Sequence, residues 1–204
     1  MGELHYVSAP HQTLDQLLWL CRRIGPWVDR IHLRKKEGSA EALFRWAKAL
    51  LEEGRVKRGQ LVINGSPEVA RTLGCAGIHL PEREKPEAGI ADRGRLQVGC
   101  SVHSVESAVK KEREGADWLF FGHVFPSGSK PGLPPKGTAR LREAAGAVRI
   151  PVLAIGGITG ERVPLLSGTG CAGVAVISAL SNARDPGAAA RRLKEKMRVW
   201  EEET

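Results

Sequence analysis

The sequence predicts a closed, eight-stranded parallel α/β barrel, a (β/α)8 or TIM barrel, as one domain over residues 1–204. Three observations carry that reading. Short β-rich runs recur eight times along the chain. Stretches with apolar residues at helical spacing lie between several of them. The polar, glycine-containing segments gather after the runs, where the βα loops of a barrel build ligand sites. Regular strand–helix alternation implies parallel strands joined by right-handed crossovers. An open doubly wound sheet is the alternative, and at this length it usually has fewer strands. No linker, repeat or low-complexity segment marks a domain boundary.

The first run is His5-Tyr6-Val7-Ser8. Leu14, Leu17, Leu18 and Cys21 follow at helical spacing, with Thr13 as the expected N-cap and Gly25 as the stop. Arg30 to Arg34 form the second strand. Ala42, Leu43, Trp46 and Leu50 mark the next helix, between Ser39 and Gly54. Leu61 to Asn64 and Gly77 to Leu80 are strands three and four, and a weakly patterned fourth helix is expected around Pro86 to Arg93. Gln97 to Cys100, Trp118 to Phe121, Val152 to Ile155 and Val174 to Ile177 complete the set. Ser104-Val105-Glu106-Ser107 and Asp185-Pro186 open further helices.

Composition narrows the partners. Charged residues at 26% and apolar ones at 42% are ordinary for a globular protein. The net charge of +8 is spread among acids, as in Lys110-Lys111-Glu112-Arg113-Glu114, which reads as a solvated helix face. Without a stacking platform or a helix-turn-helix pattern, the excess suits anionic small molecules and not nucleic acid. No apolar run approaches the ~20 residues of a membrane span, and the N-terminus shows no secretory pattern. Cys21, Cys75, Cys100 and Cys171 form no CxxC pair, which fits a reduced, cytoplasmic protein. No metal or organic cofactor is expected, because neither HxH nor HExxH spacing occurs and no acidic pair is placed to hold magnesium. The absence of Gly-x-Ser-x-Gly argues against a hydrolase triad.

The most informative segment is Phe120-Phe121-Gly122-His123-Val124-Phe125, followed by Pro126-Ser127-Gly128-Ser129-Lys130-Pro131-Gly132. An imidazole where a strand opens into a loop is either an acid/base group or a packed ring satisfied by backbone. Ala154-Ile155-Gly156-Gly157-Ile158-Thr159-Gly160 follows strand seven and is expected to open a helix. Its glycines allow close approach of a ligand, and free amides at a helix start favour an anion. With Ile177 and Ser178 after strand eight, it forms the expected phosphate site. Arg34 is suited to bidentate anion contact, Lys36 and Lys130 to point-charge contact. Lys35 reads equally as part of a solvated basic turn. His32 and His79 fall within strands and His103 beyond strand five, and these carry less weight.

Taken in order, these segments resemble the thiamine phosphate synthase superfamily of barrels. The matching motifs are His32-Leu33-Arg34-Lys35-Lys36, Asn64, Ser101-Val102-His103, Ser127-Gly128-Ser129-Lys130, Ile155-Gly156-Gly157-Ile158 and Val176-Ile177-Ser178. Two branches are relevant. The synthase branch joins a pyrimidine diphosphate to a thiazole phosphate using magnesium held by aspartates near the ends of strands three and four. Here Gly65 and Pro81-Glu82-Arg83-Glu84 stand at those places, and Lys35 replaces an acidic residue. The TenI-type thiazole tautomerases carry Phe-Gly-His-Val-Phe at strand six, as at Phe121 to Phe125. The resemblance to that branch implies an isomerase acting on a phosphorylated thiazole carboxylate. It makes His123 the catalytic proton carrier, puts Arg34, Lys36, Asn64, Ser101, Ser127, Ser129 and Lys130 around carboxylate and ring, and leaves phosphate on Gly156, Gly157, Ile177 and Ser178. It also implies a homodimer. The alternatives are a magnesium-dependent thiamine phosphate synthase and a non-catalytic, regulatory or phosphometabolite-binding barrel.

Overall fold

The computed structural model describes residues 2–35, 39–86 and 96–202. Eight parallel strands close into a barrel in sequence order: β1 (Glu3–Val7), β2 (Arg30–Leu33), β3 (Leu61–Asn64), β4 (Gly77–Leu80), β5 (Gln97–Val102), β6 (Trp118–Gly122), β7 (Val152–Ile155) and β8 (Gly173–Val176). Helices α1 (Leu14–Ile24), α2 (Ala40–Glu52), α3 (Pro67–Leu73), α4 (Val105–Arg113), α5 (Gly137–Ala147), α6 (Ser178–Ser181) and α7 (Pro186–Glu202) complete the alternation among the described residues. The open sheet is thereby excluded. No helix among these residues is long and apolar enough to cross a membrane.

Caps act where side-chain chemistry places them. The Thr13 hydroxyl accepts from the Gln16 amide while Gln16 reaches back to the Thr13 amide, so α1 starts on a reciprocal pair that satisfies two otherwise orphaned donors. Ser39 accepts from Ala42 at α2, and Ser104 from Ser107 at α4.

Two differences from the sequence reading have physical causes. First, β1 begins at Glu3 because it joins the ladder opposite Gly173 of β8. Neither residue is a good strand former, and barrel closure recruits both. Second, no α-helix follows β7. The chain makes a 3-10 turn at Val163–Leu166 with Pro164 inside it, and Gly168 and Gly170 at φ of 67° and 73° then turn it away. The expectation that Gly156-Gly157 open a helix is therefore corrected. The helix expected around Pro86 to Arg93 falls, but for Pro86, outside the described residues.

Strand alternation separates two cores. Leu4, Tyr6, Ile31, Leu33, Ile63, Ile78, Val98 and Phe121 point outward and pack with the helix faces. Val7, Val62, Trp118, Phe120, Leu153 and Ala175 fill the barrel interior. Space for the Trp118 indole exists because Gly99 faces it: a Cβ there would lie 2.1 Å from Trp118 Cε2. Gly99→Ala is expected to destabilise the fold by about 1–3 kcal/mol through overpacking against a rigid ring, with part recovered in Gly99→Ala/Trp118→Phe. Urea denaturation of the three proteins measures this.

Candidate functional site

The strand-C-terminal mouth collects most of the residues singled out in the sequence. Arg34 leaves β2 with its backbone fixed: its amide donates to Ser8 Oγ at 2.8 Å, and that hydroxyl donates to the Arg34 carbonyl at 3.1 Å. The guanidinium is half-buried, and its charge reaches His79. Asn64 ends β3 and lies in register with His79 of β4. His79 Nε2 is 2.9 Å from Ser101 Oγ on β5. Just beyond, His103 Nδ1 donates to the Val102 carbonyl at 2.9 Å, which leaves Nε2 as an acceptor facing Lys130 Nζ at 3.3 Å. That contact joins loop five to loop six and holds the lysine at the mouth.

Not every candidate arrives there. Lys35 turns back onto the Trp46 ring, with Nζ 4.5 Å from its centroid, so this cation braces α2. Lys36 lies outside the described residues. Ser127 organises its own loop: its carbonyl accepts from the Lys130 amide at 3.0 Å and its hydroxyl from the Ser129 amide at 3.3 Å, while Ser129 itself is exposed.

His123 is buried, with Nε2 3.2 Å from the Leu133 carbonyl. A carbonyl only accepts, so Nε2 carries a proton. The peptide bond Gly122–His123 is cis. Gly156 lies directly against the His123 side chain, since a Cβ on it would come within 2.3 Å of His123 Cβ. Gly156 and Gly157 have φ of 94° and 68°, and Gly157 is pressed onto the Phe125 and Pro126 carbonyls. Loop seven thus fits only against loop six. The Arg162 guanidinium fastens the pair by donating to the Gly157 carbonyl at 2.7 Å and the Pro126 carbonyl at 3.3 Å. Ile177 and Ser178 start the single turn of α6 beside it.

A buried imidazole cluster lies beneath the mouth. His5, His32 and His79 occupy inward positions on β1, β2 and β4 and stack around Phe120, at centroid distances of 5.6, 4.8 and 4.4 Å. Sequence reasoning treated His32 and His79 as strand residues and passed over His5. The signal was present, because all three sit at positions of one parity relative to the outward-facing leucines and isoleucines. Burial penalises the charged forms. It lowers His5, takes His32 well below its ordinary value, and brings His79 down to about 3, with the His5 and Arg34 charges adding to the last.

Each ring therefore binds its proton less tightly in the folded chain than in the unfolded one. Below the free imidazole value of 6.5 the unfolded state takes up more protons, so stability present above that pH is lost as the pH falls toward 3. The expected result is a urea midpoint that drops steadily from pH 6.5 to pH 5. A flat midpoint over that interval contradicts neutral buried rings.

Comparison with known proteins now adds to the geometry. Residues 4–180 match the family described as thiamine monophosphate synthase. The thiamine-phosphate synthase of Chlorobium luteolum is 42% identical over 170 residues, covering 81% of this chain and 80% of the relative. That of Methanocella arvoryzae is 37% identical over 177 residues, covering 85% and 83%. The solved thiamine phosphate pyrophosphorylase of Pyrococcus furiosus superposes with a TM-score of 0.79 at 25% identity, over 97% of this chain and 96% of its own. These relatives overturn the expectation of a TenI-type thiazole tautomerase. That expectation leaned on short segments, Phe121 to Phe125 above all, and on the residues that replace the magnesium ligands, whereas the similarity to the synthases extends over four-fifths of the chain.

Proposed function

The chain belongs to the thiamine monophosphate synthase family, and on that premise we propose that it is a transferase of thiamine biosynthesis, joining a pyrimidine diphosphate to a thiazole phosphate with loss of pyrophosphate. The similarity to a thiamine-phosphate synthase at 42% identity over 81% of the chain carries this reading. It replaces the isomerase reading with the alternative drawn from the same superfamily.

In this reading the C-terminal mouth binds two anionic reactants side by side. The thiazole phosphate lies against the positive-φ glycines Gly156 and Gly157 and the exposed amides at Ile177 and Ser178, where backbone approaches a phosphate without side-chain obstruction. The diphosphate lies between Arg34 and Lys130. As the carbon–oxygen bond to the diphosphate breaks and the bond to the thiazole forms, negative charge builds on the departing group, and fixed cations are most effective there. Asn64 and Ser101 meet the ring. His123, tied to Leu133 and packed on Gly156, holds loops six and seven in register for this work.

The donor set does not fit the magnesium that the superfamily resemblance implies. Gly65, at φ 80°, brings no carboxylate to the end of β3. The Glu82 carboxylate already accepts from the His103 amide at 3.0 Å. Among the described residues no group of three histidine, cysteine, aspartate or glutamate side chains is placed to hold a metal ion, and magnesium takes oxygen ligands, carboxylates above all. No step is routed through one. The same observation favours a second reading, a barrel that binds the phosphorylated pyrimidine without turning it over.

The full chain, incubated with the pyrimidine diphosphate and the thiazole phosphate, is expected to release pyrophosphate and form thiamine phosphate. Arg34→Ala is expected to lower kcat/KM about 10- to 100-fold, the cost of one charge-assisted contact. Tight binding of the pyrimidine diphosphate without pyrophosphate release supports the second reading and overturns the first.

A further inference from the structure

Three side chains beneath the mouth form a hydrogen-bonded column whose proton count determines the sense of a hydrogen bond at the ligand face. Glu3 lies at the opposite, strand-N-terminal end of the barrel with its side chain 49% exposed. Its Oε2 is 2.8 Å from His5 Nε2, and His5 Nδ1 is 3.0 Å from His32 Nε2. An ionised carboxylate only accepts, so His5 Nε2 carries the proton. A neutral imidazole has one N–H, which makes His5 Nδ1 an acceptor and obliges His32 Nε2 to donate to it. His32 has then committed its one proton, and its Nδ1 is a bare acceptor.

The neutral forms follow from the surroundings. Glu3 is held ionised by its bond to His5, with Arg30 and Lys194 adding. His5 and His32 are held neutral chiefly by burial; at His5 the Glu3 carboxylate opposes this most, with Asp29 adding to Glu3 and Arg30 acting against them, and at His32 the neighbouring His5, His79 and Arg30 reinforce it while Asn64 opposes it.

The upper end of the column is where a choice is made. His32 Nδ1 is buried without a partner, and so is Asn64 Oδ1. The Asn64 amide is the side chain that acts on the His32 ring from the adjacent strand. Two acceptors cannot satisfy each other. Half a turn of the amide about its last torsion exchanges oxygen for nitrogen in nearly the same space, which turns a donor toward the His32 ring and takes the oxygen away from it.

We propose that Glu3, His5 and His32 are positioning residues that lock the Asn64 amide with its NH2 toward the barrel interior and its carbonyl oxygen toward the ligand face, so that Asn64 selects an N–H or O–H of the substrate and not a phosphate oxygen. The locking stands on the column alone. The ligand half rests on the reading of the mouth as the substrate site.

Tautomers are read directly from long-range proton–nitrogen correlation spectra of the 15N-labelled full chain at pH 7. The expected pattern is protonated Nε2 and bare Nδ1 in both His5 and His32, with Asn64 amide protons close to the His32 ring. A proton on His32 Nδ1 overturns the locking. Glu3→Lys puts a donor where the acceptor stood, and is expected to move the proton to Nδ1 in both rings, whereas Glu3→Gln, which keeps an acceptor oxygen, restores the original pattern. Tautomers unchanged in Glu3→Lys remove Glu3 as the origin. Calorimetry with the pyrimidine diphosphate reads the ligand half without requiring turnover: about 10-fold weaker binding is expected in Glu3→Lys and not in Glu3→Gln. Equal affinity despite reversed tautomers, or no binding by the unaltered chain, overturns the ligand half and leaves the locking standing.

Discussion

Everything at the mouth depends on how the Trp118 indole fits inside the barrel. The ring lies against Gly99 and beside Gly77, and its neighbours are His5, His32 and His79. It shares the interior with Phe120 and with the three imidazoles, all of them buried from solvent. Dryness gives the three rings their neutrality, and neutrality gives each of them a single donor and a single acceptor. A polar core of this kind is stabilising only while its partners match, so a steric fit between one tryptophan and one glycine supports an electrostatic arrangement one layer above.

At the mouth, the cations of this basic protein are set on separate loops. Arg34 is anchored through Ser8, Lys130 through His103, and Lys35 is diverted onto Trp46. Ser8 thus fixes the Arg34 backbone, and His103 and Trp46 hold Lys130 and Lys35 without supplying a negative charge. Gly156 and Gly157 present backbone alone at the same mouth.

The architecture was legible in the sequence because eight short runs at regular spacing leave few alternatives, and because Thr13, Ser39 and Ser104 announce helix starts by local chemistry. Closure-dependent features were not legible. Glu3 and Gly173 become strand residues only when β1 meets β8, and Val163–Leu166 tightens into a 3-10 turn only because Pro164 and the later glycines deny it a helix. Arg34, Asn64, Ser101, Lys130 and the glycines lie at or just after strand ends, as their places in the sequence imply. His5, His32 and His79 were not recognised as a unit, since that requires knowing which parity of each strand faces inward. His123 misled about the reaction: a local motif showed where the ring sits, and the extended similarity to synthases bears on what the mouth does.

The close seating of Gly157 on the Phe125 and Pro126 carbonyls, with Arg162 fastened across both, has a consequence for how such barrels diversify. Loops six and seven are encoded some thirty residues apart, yet they interlock as tightly as neighbouring turns of one helix. A chimera that imports either loop from another barrel inherits half of a matched pair. Recombination of ligand preferences in this architecture should therefore proceed by exchanging the two loops together, with β7 carried between them as a cassette.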